Sequence, residues 1–294
     1  MGNLIVECSK AEQSQKNTGA DEQCLEGVVI RHALATTEQE FETVAAAKTL
    51  SQWKTQIASK DIIPLFEIEE LAVADTEDTF FEGREKRYKT ATGKKIRTFN
   101  CFLGLCSHNA LKSYNGKKMR IYEFTDAQEI KGTTPDGTKV RGQLVTIEVG
   151  KRVDAMPDKP AYTPVTLTYA DYNEFEDSGV ILKPTWSQIE IQGIFDVTLT
   201  LVSATASSIK FTADTGCAGG DNKVTSFENA DITVKTALGV AVTHSFVAAD
   251  ANGVYELTSS AAFANGNVID LNGVVQQTEA TYESTGALTV SGIS

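Results

Sequence analysis

Three histidines and five cysteines are the only imidazoles and thiols this 294-residue chain has for catalysis or metal binding. His32, His108 and His244 stand far apart, none beside the serine and aspartate pattern of a triad, so each reads as a satisfied structural residue. Cys101-x4-Cys106-x-His108 offers three ligands, but in the wrong rhythm for a zinc knuckle and with no second Cys/His pair downstream. Its setting, Thr98-Phe-Asn-Cys-Phe-Leu-Gly-Leu-Cys106, has the composition of a buried strand, so both cysteines are expected as free core thiols. Cys8, Cys24 and Cys217 complete an odd set at irregular spacing, which predicts free thiols and folding in a reducing cytoplasm. Asp250-Ala-Asn-Gly253 begins like a calcium loop but lacks the later ligands, and it reads as a hairpin turn. Thr92-Gly-Lys-Lys95 has neither the upstream glycine nor the Ser/Thr of a phosphate loop. Thr215 to Asn222 is glycine-rich enough to cradle an anion but is better read as a surface loop. No nucleophile–base constellation, metal set or cofactor motif emerges, so the chain is read as a non-enzyme without cofactors.

Charge carries more information. Glu67 to Glu82 holds seven acids and no base, and Arg84 to Arg97 holds seven bases and one acid, Glu85. The arrangement predicts a long hairpin turning near Thr92-Gly93. Its arms either neutralise each other or form the acidic and basic faces of a subunit that packs head-to-tail into a ring. On the second reading Asp75, Glu77, Asp78, Arg84, Lys86, Arg87, Lys89, Lys94, Lys95 and Arg97 are subunit-interface residues. Nucleic-acid binding by the basic arm is the weaker alternative, because the chain's net charge is −12 and Tyr88 is the arm's only interior aromatic.

The elements that would position these charges fall into three regions. Residues 1–24 are polar and irregular and read as an extended arm that orders only against a neighbour. No basic leader precedes an apolar stretch there, so no secretory signal is expected, and no apolar run reaches a membrane span. Residues 25–193 form the expected assembly body. Thr37 and Glu40 suit a capping box for one long helix, with Ala46, Leu50, Trp53 and Ile57 on one face. Strands are expected at 62–68, 98–105, 119–124, 142–149, 165–169 and 180–182, with a short helix at 108–114 ended by Asn115-Gly116. From residue 195 onward three lysines face ten acids, helical periodicity disappears, and seven short strands are separated by turn signals such as Asn252-Gly253 and Asn272-Gly273. The fold class is therefore mainly β: an antiparallel sandwich or barrel-like body with a packed helix and long hairpin, then an Ig-like β-sandwich over 194–294.

This order of features resembles the virion proteins of tailed bacteriophages, most closely a major tail tube protein with an appended Ig-like domain. The resemblance rests on Cys106-Ser-His-Asn-Ala-Leu-Lys-Ser-Tyr-Asn-Gly-Lys-Lys-Met-Arg-Ile-Tyr-Glu-Phe-Thr-Asp126, then Gly142–Val149, then 165–169 leading to Pro184-Thr-Trp186. It implies a homo-oligomeric ring, such as a hexamer, that stacks into a tube, contacts other virion proteins and passes DNA without binding it. It implies location in the virion after folding in the host cytoplasm, with no membrane partner. An acidic lumen would repel phosphates, since each Lys or Arg contact would add affinity through counterion release. Glu67, Glu69, Glu123 and Glu148 are the candidate lumen residues, Glu67 and Glu69 having the spacing of one strand face. The alternatives are another virion component (head decoration, neck or other tail protein) or a glycan-binding surface module.

Overall fold

The computed structural model describes residues 4–7, 26–216, 222–277 and 280–293. It is mainly β, with 44% strand and 12% helix. The chain divides into two units, 1–191 and 192–294.

The first unit is built on twelve strands among the described residues. β1 (Ile5–Val6) and β2 (Val29–Ala35) precede two short helices, α1 (Val44–Ala47) and α2 (Leu50–Ala58). The charged stretch follows as β3 (Ile62–Glu67), β4 (Glu69–Val73), β5 (Thr79–Glu82), β6 (Arg87–Ala91) and β7 (Ile96–Cys101). After helix α3 (Leu105–Lys112) come β8 (Lys118–Thr125), β9 (Ile130–Thr133), β10 (Gln143–Val149) and β11 (Thr163–Tyr169). Helix α4 (Glu174–Ser178) and β12 (Gly179–Leu182) complete the unit.

The main sheet runs β2-β8-β10-β11-β7, antiparallel throughout. Its two ends are linked by one bent stretch of chain. β3 pairs with β2, β4 pairs with β7, and buried Ile68 joins them. Glu70, at φ 54°, takes up the bend. The sheet thereby curls into a half-barrel. Strand alternation sends Leu34, Phe99, Cys101, Met119, Ile121, Val145, Ile147, Val165 and Leu167 into one core, which Leu111 of α3 joins.

The opposite face of β8 carries Tyr122 and Phe124, and Trp53 of α2 packs on both, with ring centroids 5.0 and 5.4 Å away. This helical region departs from the expected single helix. Glu40 is drawn to Lys139 rather than into a capping box, and Thr43 caps α1 by accepting the Ala46 N–H at 3.1 Å. The chain breaks at Lys48-Thr49. Carbonyls at the break accept indole N–H groups: Ala47 from Trp53 and Lys48 from Trp186, each at 2.7 Å. Bonding of this kind keeps an interrupted helix from leaving bare acceptors.

Other boundaries shift for local reasons. The strand expected to Leu105 ends at Cys101, and Leu105 begins α3, three residues before the expected helix start. Cys101 is the buried free thiol expected, its pKa pushed up to about 12 by burial. Cys106 corrects the expectation of free core thiols: it is exposed on α3 and disulfide-bonded, to a partner outside the described residues. Leu4–Glu7 corrects the reading of a wholly unpacked arm. β1 adds in parallel to β12, and the Glu7 carboxylate bonds Lys48 at 2.8 Å and the Lys183 N–H at 3.0 Å. The rest of 1–24 lies outside the described residues.

The second unit has ten described strands: β13 (Ile194–Ala204), β14 (Ser208–Thr215), β15 (Asn222–Lys223), β16 (Ile232–Lys235) and β17 (Ser245–Val247), then β18 (Val254–Thr258), β19 (Val268–Leu271), β20 (Val275–Gln276), β21 (Thr281–Ser284) and β22 (Leu288–Thr289). One sheet runs β17-β18-β14-β13-β21-β20 with β15 on β14, and the other runs β16-β19-β22. Inward residues of both, including Leu199, Phe211, Tyr255, Ile232 and Ile269, share a single core, as in a β-sandwich. Asp250 forms the expected turn, its Oδ1 accepting the N–H groups of Asn252 and Val254 at 2.8 and 2.9 Å. The loop core at 217–221 lies outside the described residues.

Candidate functional site

The charged stretch does form a hairpin, but it does not turn at Thr92-Gly93. It turns at Gly83–Lys86, where the Gly83 N–H meets the Lys86 carbonyl at 2.9 Å. Gly93 serves the opposite arm, where its N–H reaches Asp78 Oδ1 at 2.7 Å. A Cβ there would lie 2.0 Å from the Thr76 carbonyl oxygen, so only glycine permits this approach.

Turning at Gly83–Lys86 rather than at Thr92-Gly93 folds the acidic arm onto the basic one. At the root, Arg97 binds Asp75 at 2.5 Å, and the same Asp75 oxygen accepts the Ile96 N–H at 2.6 Å. Farther out, Lys89 binds Asp78 at 2.6 Å and Arg87 binds Glu82 at 2.7 Å. Of the candidate interface residues, Asp75, Asp78, Arg87, Lys89 and Arg97 are therefore engaged within their own chain. Glu77, Arg84, Lys86 and Lys94 make no ion pair among the described residues.

Beyond the root, β5 and β6 form a separate two-stranded ribbon in which every residue is exposed. Residues directly opposite in an antiparallel pair share a face. One face carries Glu82 opposite Arg87 and Phe80 opposite Lys89, with the Arg87 guanidinium 3.8 Å over the Phe80 ring. The other face presents Phe81 opposite Tyr88, 62% and 56% exposed. The ribbon is thus two-faced, with its charges satisfied on one side and an uncovered aromatic pair on the other. Sequence reading saw the charges and passed over Phe81. Its signal was the register, which only the true turn position reveals.

Lys95 is placed elsewhere. β8 pairs along one edge first with β10 and then with β9, so the sheet divides there. A cleft of about 600 Å³ opens between the two branches, lined by Leu4, Val6 and Ile181 on one side and by Leu71, Lys95 and Arg97 on the other. Lys95 donates to Gln143 Oε1 at 3.1 Å, with its ammonium 4.4 Å from the Tyr169 ring centroid and 5.5 Å from that of Phe175. Burial lowers its pKa, against the pull of Glu123. Glu123, half-buried in the same cleft, accepts the Tyr169 hydroxyl, whose own pKa is raised by burial and by that carboxylate. Lys131, opposite Glu123 in register, pairs with Glu26 at 2.6 Å. His32, also opposite Glu123 in register, is 1% exposed with Nδ1 unpartnered, and burial lowers its pKa to about 4. The other histidines have bonds of their own: His108 Nδ1 lies 2.9 Å from Thr163 Oγ1 and His244 Nδ1 lies 3.1 Å from the Val242 carbonyl.

The four candidate lumen acids separate accordingly. Glu67 and Glu69 are exposed on either side of buried Ile68, and Glu148 is exposed on the outward face of β10. Glu123 faces its own chain's cleft. Among the described residues no cluster of three or more His, Cys, Asp or Glu side chains could hold a metal ion, and no helix is long and apolar enough to cross a membrane. Comparison with protein-family models and with curated proteins finds no match for the chain.

Proposed function

We infer that this protein is a self-assembling structural subunit of a bacteriophage virion, and that its assembly is a stacked ring forming a tail tube through which DNA passes. The observation that carries the reading is the ribbon of β5 and β6. An isolated two-stranded ribbon is marginal in water, yet this one stands with both faces exposed and an aromatic pair uncovered. Such a ribbon gains stability by laying Phe81 and Tyr88 on a neighbour. With five acids and seven bases between Asp75 and Arg97, in a chain of net charge −12, it is also a basic element that an acidic second copy attracts. The contact joins unlike surfaces, and heterologous contacts close into rings or continue as filaments.

Conduction follows from charge. Glu67, Glu69 and Glu148, exposed and without ion pairs among the described residues, repeat around a ring as a negative lining. Phosphates then meet repulsion and no deep binding site. The test is size-exclusion chromatography with negative-stain microscopy of the full chain and of Phe81→Asp. Rings or tubes formed by the parent and lost in the variant support the reading. A compact monomer at all concentrations rejects it in favour of a binding module, and a density map with a channel lined by Lys and Arg rejects the conduit.

A further inference from the structure

The cleft at the divided sheet holds one cation without a charged partner among the described residues. Its other two cations each have a carboxylate: Arg97 has Asp75 at 2.5 Å and Lys131 has Glu26 at 2.6 Å. Lys95 has none within ion-pair distance among the described residues. An ammonium carries three donors, and Lys95 uses one, on the neutral Gln143 amide oxygen. The nearby carboxylate, Glu123, is turned to the Tyr169 hydroxyl. Tyr169 and Phe175 give the ammonium two ring faces. Such faces favour a cation but supply no hydrogen-bond acceptor in the plane of an oxygen lone pair. Lys95 is half-buried on the cleft lining, and a charge partly withdrawn from water is stabilised by an anionic acceptor for its remaining donors.

The walls around Lys95 say what the completing group is attached to. Leu4, Val6, Val29, Leu71 and Ile181 supply apolar surface from both branches of the sheet, and the volume, about 600 Å³, lies in the range of small-molecule sites. Glu26, Glu123 and Glu176 balance the three cations on the lining, so the cleft as a whole is close to neutral and does not suit a polyanion such as a phosphate chain. One negative charge on a hydrocarbon body matches both features.

We propose that this cleft binds an amphipathic monocarboxylate, of the size of a medium-chain fatty acid, whose carboxylate accepts hydrogen bonds from Lys95 and whose hydrocarbon lies against the apolar walls of the divided sheet. The carboxylate sits between Lys95 and Arg97, away from Glu123, and the tail points toward β1 and β12.

The experiment is calorimetric titration of the full chain with decanoate below its micellar concentration, beside decanol, which lacks the charge, and acetate, which lacks the tail. Saturable binding of one decanoate per chain is expected, with decanol and acetate each at least about tenfold weaker, the loss of a charged hydrogen bond or of the buried tail. Lys95→Met, which keeps the stem and removes the charge, should weaken decanoate at least about tenfold, whereas Lys86→Met at the hairpin tip should not change it. If Lys95→Met fails to fold, the parent decides instead. Its lysines are labelled with 13C at Cε, which leaves the ammonium intact, and the Lys95 resonance must move on adding decanoate while that of Lys86 stays. No saturable binding, equal binding of decanol, undiminished binding by folded Lys95→Met, or an unmoved Lys95 resonance overturns the proposal. Ring formation plays no part in any of these readouts, so the assembly reading can fail without touching this one.

Discussion

Asp75–Arg97 and Glu82–Arg87 are the same chemical pair on the same hairpin, one at its root and one near its tip. The root pair is 24% and 21% exposed, and its aspartate also satisfies a backbone N–H. The tip pair is 69% and 61% exposed and satisfies no backbone group, Arg87 adding only its contact over the Phe80 ring. Near the sheet, solvent access is reduced and each charge is tied to a fixed partner. Toward the tip of the same hairpin, water screens the charges, and what remains to act on a neighbour is the aromatic face. An acidic arm paired with a basic one is thus two devices, a fastening where the hairpin meets the sheet and a display where it leaves it.

The largest expected effect lies at the sheet end. His32 has a folded pKa of about 4, below its ordinary value near 6.5, because burial penalises the imidazolium. Its contribution is fully present above pH 6.5 and is lost as pH falls toward 4, up to about 3 kcal/mol. Urea unfolding followed by tryptophan fluorescence measures this in the first unit alone, since Trp53 and Trp186 are the chain's only tryptophans. A His32→Leu variant should flatten that pH dependence. An unchanged slope would remove His32 from the account.

Next comes the root. Asp75→Ala strips Arg97 of its carboxylate and the Ile96 N–H of its acceptor, and should cost about 2–3 kcal/mol by the same assay. Gly93→Ala puts a methyl group against the Thr76 carbonyl and should cost about 1–3 kcal/mol. Gly104→Ala is its control: a Cβ there meets nothing within 4 Å. The smallest effect belongs to the tip, where Glu82→Ala should cost under about 0.5 kcal/mol. A tip loss as large as the root loss would erase the comparison. Phe81→Asp sharpens it from the other side: the unfolding midpoint should hardly move while assembly is lost.

Much of this molecule was legible in its residues. Alternation along 165–169 and 143–149, turn signals after residue 193 and the absence of helical period there all point to sheet, because a strand buried on one face must alternate and a tight turn must have its glycine or asparagine. The hairpin was legible as a charge pattern, and Lys95 was read with its six basic neighbours because spacing alone does not distinguish them. Local sequence also proposed one helix from Thr37. Two of the competing partners, Lys139 and Trp186, come from 99 and 138 residues away from the groups they capture, and no local window contains them; Trp53 lies six residues from Ala47, but its bond depends on the helix already being interrupted.

What the chain determined by itself, then, is the β character, the two-part organisation of composition and charge, and the pairing of an acidic arm with a basic one, since these follow from nearest-neighbour chemistry and periodicity. Tertiary structure decided where the hairpin turns, because Gly93 was needed for close approach to Thr76 and so could not serve as the bend. It decided that Phe81 and Tyr88 share a face, because register is set by the turn. It decided that Lys95 leaves the basic arm for a cleft, because β8 divides its edge between β9 and β10. Burial depends on what the rest of the chain places around a residue, and a side chain's type does not contain that.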